Sequence, residues 1–342
     1  MAFESVAGQQ EAARRLRSAL SSGRLPHAYL FVGSAGTGRS AMARELARVV
    51  LCESRPGPTD YCGECVNCRL LEKGSHPDYR EVGLPEGRQL LSIDLVREIQ
   101  HAAALKPVRG PRRVFIVRDA ERLSADAANC FLKTLEEPPG GCFFVLIASS
   151  LHLLPETVAS RCCRVRFANL PPDELERMLR EEGADAADAT WLARRAWGSP
   201  GLARRFREEG LHEFNRELVG RLGKLTLERN FEMSDWLAEE GGRRAGSAAQ
   251  GRDVLQEMLE CAAVYYADLA TAACAPPGEL ALRNAFAEDE LRKAAGRADA
   301  ESWADRAWQV LDAIEALGAN AQRRLCLDDL FSRLGRAPDA EP

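Results

Sequence analysis

The chain has 342 residues, 46% hydrophobic and 28% charged, with a net charge of −5. That length is too great for one compact core and points to two or three domains. The acidic balance excludes a generally basic coat for nucleic acid, though not a local basic track. No apolar run is long enough for a membrane span. The opening MAFESVAGQQ lacks the basic and apolar regions of a signal peptide. A cytoplasmic protein with no membrane partner is expected.

Apolar spacing through Ala12, Leu16 and Leu20 predicts a helix over 5–20. AYLFV (28–32) reads as a buried strand running into GSAGTGRS (33–40), with a helix over 39–51. Strand, glycine loop and helix form the context of a phosphate-binding loop, G-x-x-x-x-G-K-[ST]. Gly33, Gly36 and Gly38 let backbone N–H groups turn toward phosphate oxygens, and Ser40 keeps the hydroxyl. Arg39 replaces the lysine, and a wide planar guanidinium is not equivalent to a compact ammonium.

Four of the eleven cysteines follow: Cys52, Cys62, Cys65 and Cys68, spaced C-x9-C-x2-C-x2-C. Four thiolates with two tight x2 steps suit tetrahedral, structural zinc, with redox use of the thiols as the competing reading. Cys130, Cys142, Cys162, Cys163, Cys261, Cys274 and Cys326 read as core or surface residues. Val114–Val117 and Phe143–Ala148 read as buried parallel strands flanking a helix over 125–136, which Pro138 ends. Alternating strands and helices imply an α/β sheet.

Strand signals stop after about residue 167. Helices are expected over 173–182, 191–206 (interrupted by Gly198-Ser199-Pro200-Gly201), 253–272 and 301–318. The stretch 240–251 reads as a flexible loop and RAPDAEP as a disordered tail. Tyr265, Tyr266, Trp303 and Trp308 read as helical core or subunit interface. His27 and His76 read as packing or capping residues.

The ordered set RLPHAYLFVGSAGTGRS, the four cysteines, His76-Pro77-Asp78, RVFIVRDAERLSADAANCFLKTLEEPP and LPETVASRC resembles the clamp-loader branch of the AAA+ proteins in bacterial DNA polymerase III. The motifs cover roughly the first half of the chain. The resemblance implies a RecA-like AAA+ module over 1–167 with the cysteine module at 52–68. A small helical lid over 168–210, an all-α collar over 211–335 and a tail over 336–342 would follow. It also implies a heteropentamer with delta and tau/gamma subunits that places a sliding clamp on primer-template DNA.

Aligned with the family, Arg118 takes the metal-holding position and Asp119 the water-activating one, and Gly201 stands where ATPase relatives carry a lid arginine. With Arg39, these departures imply a chain that does not hydrolyse ATP unaided and whose binding of ATP is doubtful. Ser160-Arg161-Cys162 alone would read as a strand-edge arginine, since Arg164 and Arg166 follow at period two. The family instead implies that Arg161 is an arginine finger reaching a neighbour's ATP site. Lys133 is a further expectation, as a contact to DNA inside the ring. The alternatives are an active tau/gamma-type ATPase subunit, which should carry the lysine and an Asp-Glu pair, and a free-standing nucleotide switch.

Overall fold

β1 (Ala28–Val32) is apolar at every position because both of its faces are covered. The computed structural model describes residues 2–4, 6–85, 88–245, 250–276 and 282–336. The chain divides into two compact units, Met1–Leu175 with Trp197–Leu202, and Glu176–Ala196 with Ala203–Pro342.

The first unit holds α1 (Gln10–Ser21), β1, α2 (Arg39–Leu51), α3 (Val66–Glu72), β2 (Tyr79–Val82), α4 (Ile93–Ala104), β3 (Arg113–Val117), α5 (Ala125–Glu136), β4 (Cys142–Ala148), α6 (Glu156–Ala159) and β5 (Cys163–Arg166). The strands form one five-stranded sheet in the order β2-β3-β4-β1-β5. Every pairing is parallel, with Leu30 beside Leu146 and Arg164.

Side chains alternate across this sheet. Tyr29, Phe31, Phe143 and Val145 pack under α1 and α2. Leu30, Phe144, Phe115 and Val117 pack under α4, α5 and α6. On that second face Phe115 stacks on Phe144 at 5.3 Å and Phe131 meets Phe144 edge-on at 5.6 Å. Ser92 and Ser124 cap α4 and α5, accepting from Leu95 and Ala127 N–H groups.

The chain turns at Phe3 and Gly8, both at positive φ, so α1 starts at Gln10 rather than near residue 5. Ala2, Phe3 and Val6 enter the core instead.

After α7 (Pro172–Glu181) come α8 (Ala186–Arg195), α9 (Pro200–Glu208), α10 (Leu211–Leu222), α11 (Asn230–Arg244), α12 (Gln250–Cys274), α13 (Glu288–Ala295), α14 (Ala300–Gly318) and α15 (Arg323–Leu334). Among the described residues no strand follows Arg166. The interrupted helix expected over 191–206 is two helices, separated at Trp197 and Gly198, both at positive φ. The loop expected over 240–251 is largely helical, since α11 runs to Arg244 and α12 begins at Gln250. Gly241 lies buried inside α11, beside Leu255 and Met258. Residues 246–249, and 337–342 of the expected tail, lie outside the described residues.

In the second unit Tyr266 is fully buried against Trp303, whose indole N–H donates to the Ala295 carbonyl at 3.1 Å. Tyr265 is buried as well, whereas Trp308 is 64% exposed and outside the core. Among the described residues no helix is long and apolar enough to cross a membrane.

Asp78, expected only as part of a motif, anchors one loop of the first unit. Its fully buried carboxylate accepts from the N–H groups of Val108, Arg109 and Gly110 at 2.7, 2.7 and 2.9 Å. Burial favours the neutral acid, but these donors and Arg113 outweigh it and hold the pKa below 3.8. A depressed folded pKa means stability that is present above the unfolded value and lost as pH falls through the folded one. Asp78→Asn is therefore expected to cost about 2–4 kcal/mol at neutral pH and to speed amide exchange at 108–110. The difference from wild type should shrink below pH 3.8. Urea titrations at neutral and acid pH, with hydrogen exchange, check this.

Candidate functional site

Crossovers leaving β1 and β4 run in opposite directions over opposite faces, so a crevice opens at the C-terminal ends of these neighbours. The predicted phosphate loop lies there. Gly36 and Gly38 have φ of +73° and +93°, which turn the loop and place Gly38 at the N-cap of α2. Thr37 is buried and its hydroxyl closes the loop onto the Ser34 carbonyl at 2.8 Å. A Cβ on Gly33 would fall 2.5 Å from the Phe167 carbonyl oxygen, so that strand exit admits only glycine. No side chain caps α2, which leaves its first-turn N–H groups and their partial positive charge facing the loop.

Arg39 and Ser40 begin α2, both half-buried. Burial pulls the Arg39 guanidinium below its usual range, against the opposing fields of Glu121 and Asp119. Arg118 does not face the loop with Asp119. Its guanidinium packs over Gly83 and pairs with Glu81 at 3.3 Å. Glu81 also binds Arg44 at 2.7 Å and the Tyr79 hydroxyl at 2.7 Å. Burial would raise the Glu81 pKa, but Arg44, Tyr79 and Arg118 together hold it below the usual range. Asp119 takes a left-handed φ of 55° and accepts the Leu84 N–H at 3.2 Å.

Glu121 is the acid that sequence reasoning missed. A short 3-10 turn over Ala120–Arg122 swings it toward the end of β4, where its Oε1 accepts from the Ser149 N–H at 3.0 Å and from the Ser149 hydroxyl. Its Oε2 is buried and accepts no hydrogen bond. No spacing rule marks this residue, because the turn that aims it depends on the backbone of Asp119.

The segment Gly198-Ser199-Pro200-Gly201 lies on the loop. The Ser199 hydroxyl donates to the Ala35 carbonyl at 2.9 Å, and the Gly201 N–H donates to the Gly36 carbonyl at 2.9 Å. A Cβ on Gly201 would meet the Gly36 oxygen at 2.8 Å and its Cα at 3.0 Å.

Arg161 lies outside this crevice group, just beyond α6, with its side chain 33% exposed. Its Nε donates to Glu136 at 2.7 Å, its Nη2 donates to the same carboxylate, and its Nη1 donates to the Thr157 carbonyl at 2.8 Å. Lys133, on α5, is exposed.

The four predicted cysteines come together at the end of α2 and the start of α3, with their sulfurs all within 4.8 Å of one another, and could hold a metal ion. Cys62, Cys65 and Cys68 N–H groups donate to the sulfurs of Cys52, Cys62 and Cys65 at 3.4, 3.3 and 3.4 Å. Burial raises the Cys65 thiol, but backbone donors from Cys68 and Glu53 bring it to about 6, while burial pushes Cys68 up. Asn67 ties this module to the Leu51 carbonyl at 2.9 Å and receives Arg109 at 3.1 Å. His76 caps locally, its Nδ1 accepting the Asp78 N–H, and His27 bonds the Leu135 carbonyl at 2.9 Å.

Residues 8–171 match the family described as "DNA polymerase III, delta subunit". The chain is 36% identical over 207 residues to "DNA polymerase III subunit delta'" of Pseudomonas aeruginosa, covering 59% of this chain and 62% of that one. It is also 36% identical over 168 residues to "DNA polymerase III subunit tau" of Bacillus subtilis, covering 49% of this chain and 29% of that one. The chain thus spans less than two thirds of the length of these relatives. A solved structure described as a "dna polymerase iii, gamma subunit-related protein" from Thermotoga maritima aligns with a TM-score of 0.47 and 18% identity, over 96% of this chain and 98% of that one.

Proposed function

We infer, from a first half that is similar to DNA polymerase III clamp-loader subunits, the delta-prime subunits among them, that this chain is the ATPase-defective member of the loader and supplies Arg161 to a neighbour's ATP site. Identity alone does not separate this reading from a tau/gamma-type ATPase, since both kinds of relative match at 36%. The observation that carries the choice is position 201. An ATPase needs a cation there, and here the backbone of Gly201 rests on Gly36 with no room for a side chain. Arg118 at the metal-holding position, drawn toward Glu81, and Arg39 in the loop support the same conclusion. Phosphoryl transfer depends on positioned charge, so two altered charges and one missing cation would remove most of its catalysis. A free-standing switch is disfavoured for the same reason, since it needs a loop that answers to nucleotide.

The proposed organisation is an AAA+ module over 1–167, a lid over 168–210 and a collar over 211–335, assembled with delta and tau/gamma subunits in the cytoplasm to load a sliding clamp on primed DNA. Lys133, exposed on α5, is a proposed contact to that DNA. The cysteine module is proposed to hold structural zinc. A tetrahedron with Zn–S distances of about 2.3 Å has edges of about 3.8 Å. The sulfur pairs 52–62, 52–65 and 62–68 stand at 3.6, 3.9 and 4.0 Å. Four thiolates leave no open position, so zinc would tie 52–68 together without touching substrate.

The purified chain is expected to show no Mg²⁺-dependent ATP hydrolysis, and Arg39→Lys/Arg118→Asp to restore none, because position 201 is still closed. Steady-state phosphate release checks this, and clear wild-type turnover would assign the chain to the ATPase subunits. Arg161→Ala should leave assembly of the loader intact yet lower hydrolysis at the neighbouring site by about 10³-fold. Single-turnover assays on the reconstituted complex read that site, and unchanged rates would make Arg161 a structural residue. Cys65→Ser should reduce bound zinc from about one equivalent per chain and expose 52–68 to protease. Metal analysis by mass spectrometry with limited proteolysis decides this, and equal metal content would remove the zinc assignment.

A further inference from the structure

Arg164 and Arg166 share the strand that follows Arg161, yet only Arg161 is held by an acid. Arg164 reaches no more than the Ala159 carbonyl, at 3.4 Å. Glu136, the last residue of α5, takes Nε and Nη2 of Arg161 through the same carboxylate. The Thr157 carbonyl takes Nη1 at 2.8 Å, and the Ser160 hydroxyl lies at a longer 3.4 Å from the same nitrogen. Of the five N–H bonds of a guanidinium, Glu136 engages the side-on pair and the α6 backbone holds a third. The outward N–H of Nη2 stays uncommitted. The plane of the guanidinium is thereby fixed from two sides, and the side chain stays 33% exposed.

Stability does not account for the pair. Arg161 is 33% exposed and Glu136 48%, and ion pairs so exposed contribute little to folding. What the pair does is remove rotamer freedom from a long side chain, and it does so at the C-terminal end of α5, where the helix dipole also favours a cation.

We propose that Glu136 is a positioning residue for Arg161: it pre-orients the guanidinium so that the free tip meets the neighbour's phosphoryl oxygens without a search. The proposal rests on the reading of Arg161 as a finger. It assigns a role to Glu136 that the LKTLEEPP pattern does not, because that pattern is otherwise explained by packing of Leu132 and Leu135 and by the helix end at Pro138.

The test is a double-mutant cycle in the loader reconstituted with the delta and tau/gamma subunits of the same organism, with assembly followed by size exclusion. Glu136→Ala should lower kcat at the neighbouring site by about 10-fold or more with KM unchanged, and Glu136→Gln, which keeps one acceptor oxygen, should recover part of the loss. In an Arg161→Ala background both substitutions should be silent, because Glu136 acts only through Arg161. Full turnover in Glu136→Ala, or the same further loss in the Arg161→Ala background, would overturn the proposal. If Arg161→Ala itself leaves turnover unchanged, the finger reading fails first and takes this proposal with it. If only Glu136→Ala is silent, the finger stands and Glu136 has no part in it.

Discussion

Every strand of the sheet runs in one direction, so each must be re-entered from the same end after a crossover over one face or the other. In the order β2-β3-β4-β1-β5 the crossover leaving β1 and the one leaving β4 diverge, and only there do loop ends splay apart. The phosphate loop, the Asp119–Glu121 turn and Ser149 all follow from that single topological constraint. The apolar interior of the strands keeps the crevice rigid, and the glycines at its floor give it shape without side chains.

At and beside that crevice several charged groups already have partners within the molecule. Where a nucleotide machine would leave cations and carboxylates waiting for Mg²⁺ and phosphate, Arg118 finds Glu81, Asp119 finds a backbone N–H, and Glu121 finds Ser149. Arg39 is left half-buried in the field of two acids. A group already paired in this way gains less from a ligand, because the new contact must first break the old one, whereas Glu121 Oε2 and the first-turn N–H groups of α2 carry no such cost. Arg161 contrasts with this. It too is held, but by an exposed acid that leaves one N–H of Nη2 uncommitted.

The central strands and the glycine loop were legible from sequence because β1, β3 and β4 are buried on both faces and therefore read as unbroken apolar runs. β2 and β5 were not, since they lie at the sheet edges. YREV is half-buried throughout, and CRVR buries only Val165. The cysteine spacing was readable because ligand geometry is local. Glu121, the closure at Gly201 and the partner of Arg161 were not readable, for a shared reason. Each depends on a contact between segments 25 or more residues apart, as Arg161 and Glu136 are. Gly241-Gly242 misled in the other direction, since a glycine pair reads as a breaker although both lie inside α11.

The seat of Gly201 on Gly36 also bears on how such a chain changes over time. Replacing Arg39 or Arg118 alone would leave Gly201 seated on Gly36. An arginine at 201 would put its Cβ 2.8 Å from a carbonyl oxygen before its guanidinium reached anything. At 201, therefore, the backbone of Gly36 must shift before any side chain can be accommodated. On the proposed reading, then, the seat of Gly201 would make a loss of hydrolysis hard to undo by single substitutions.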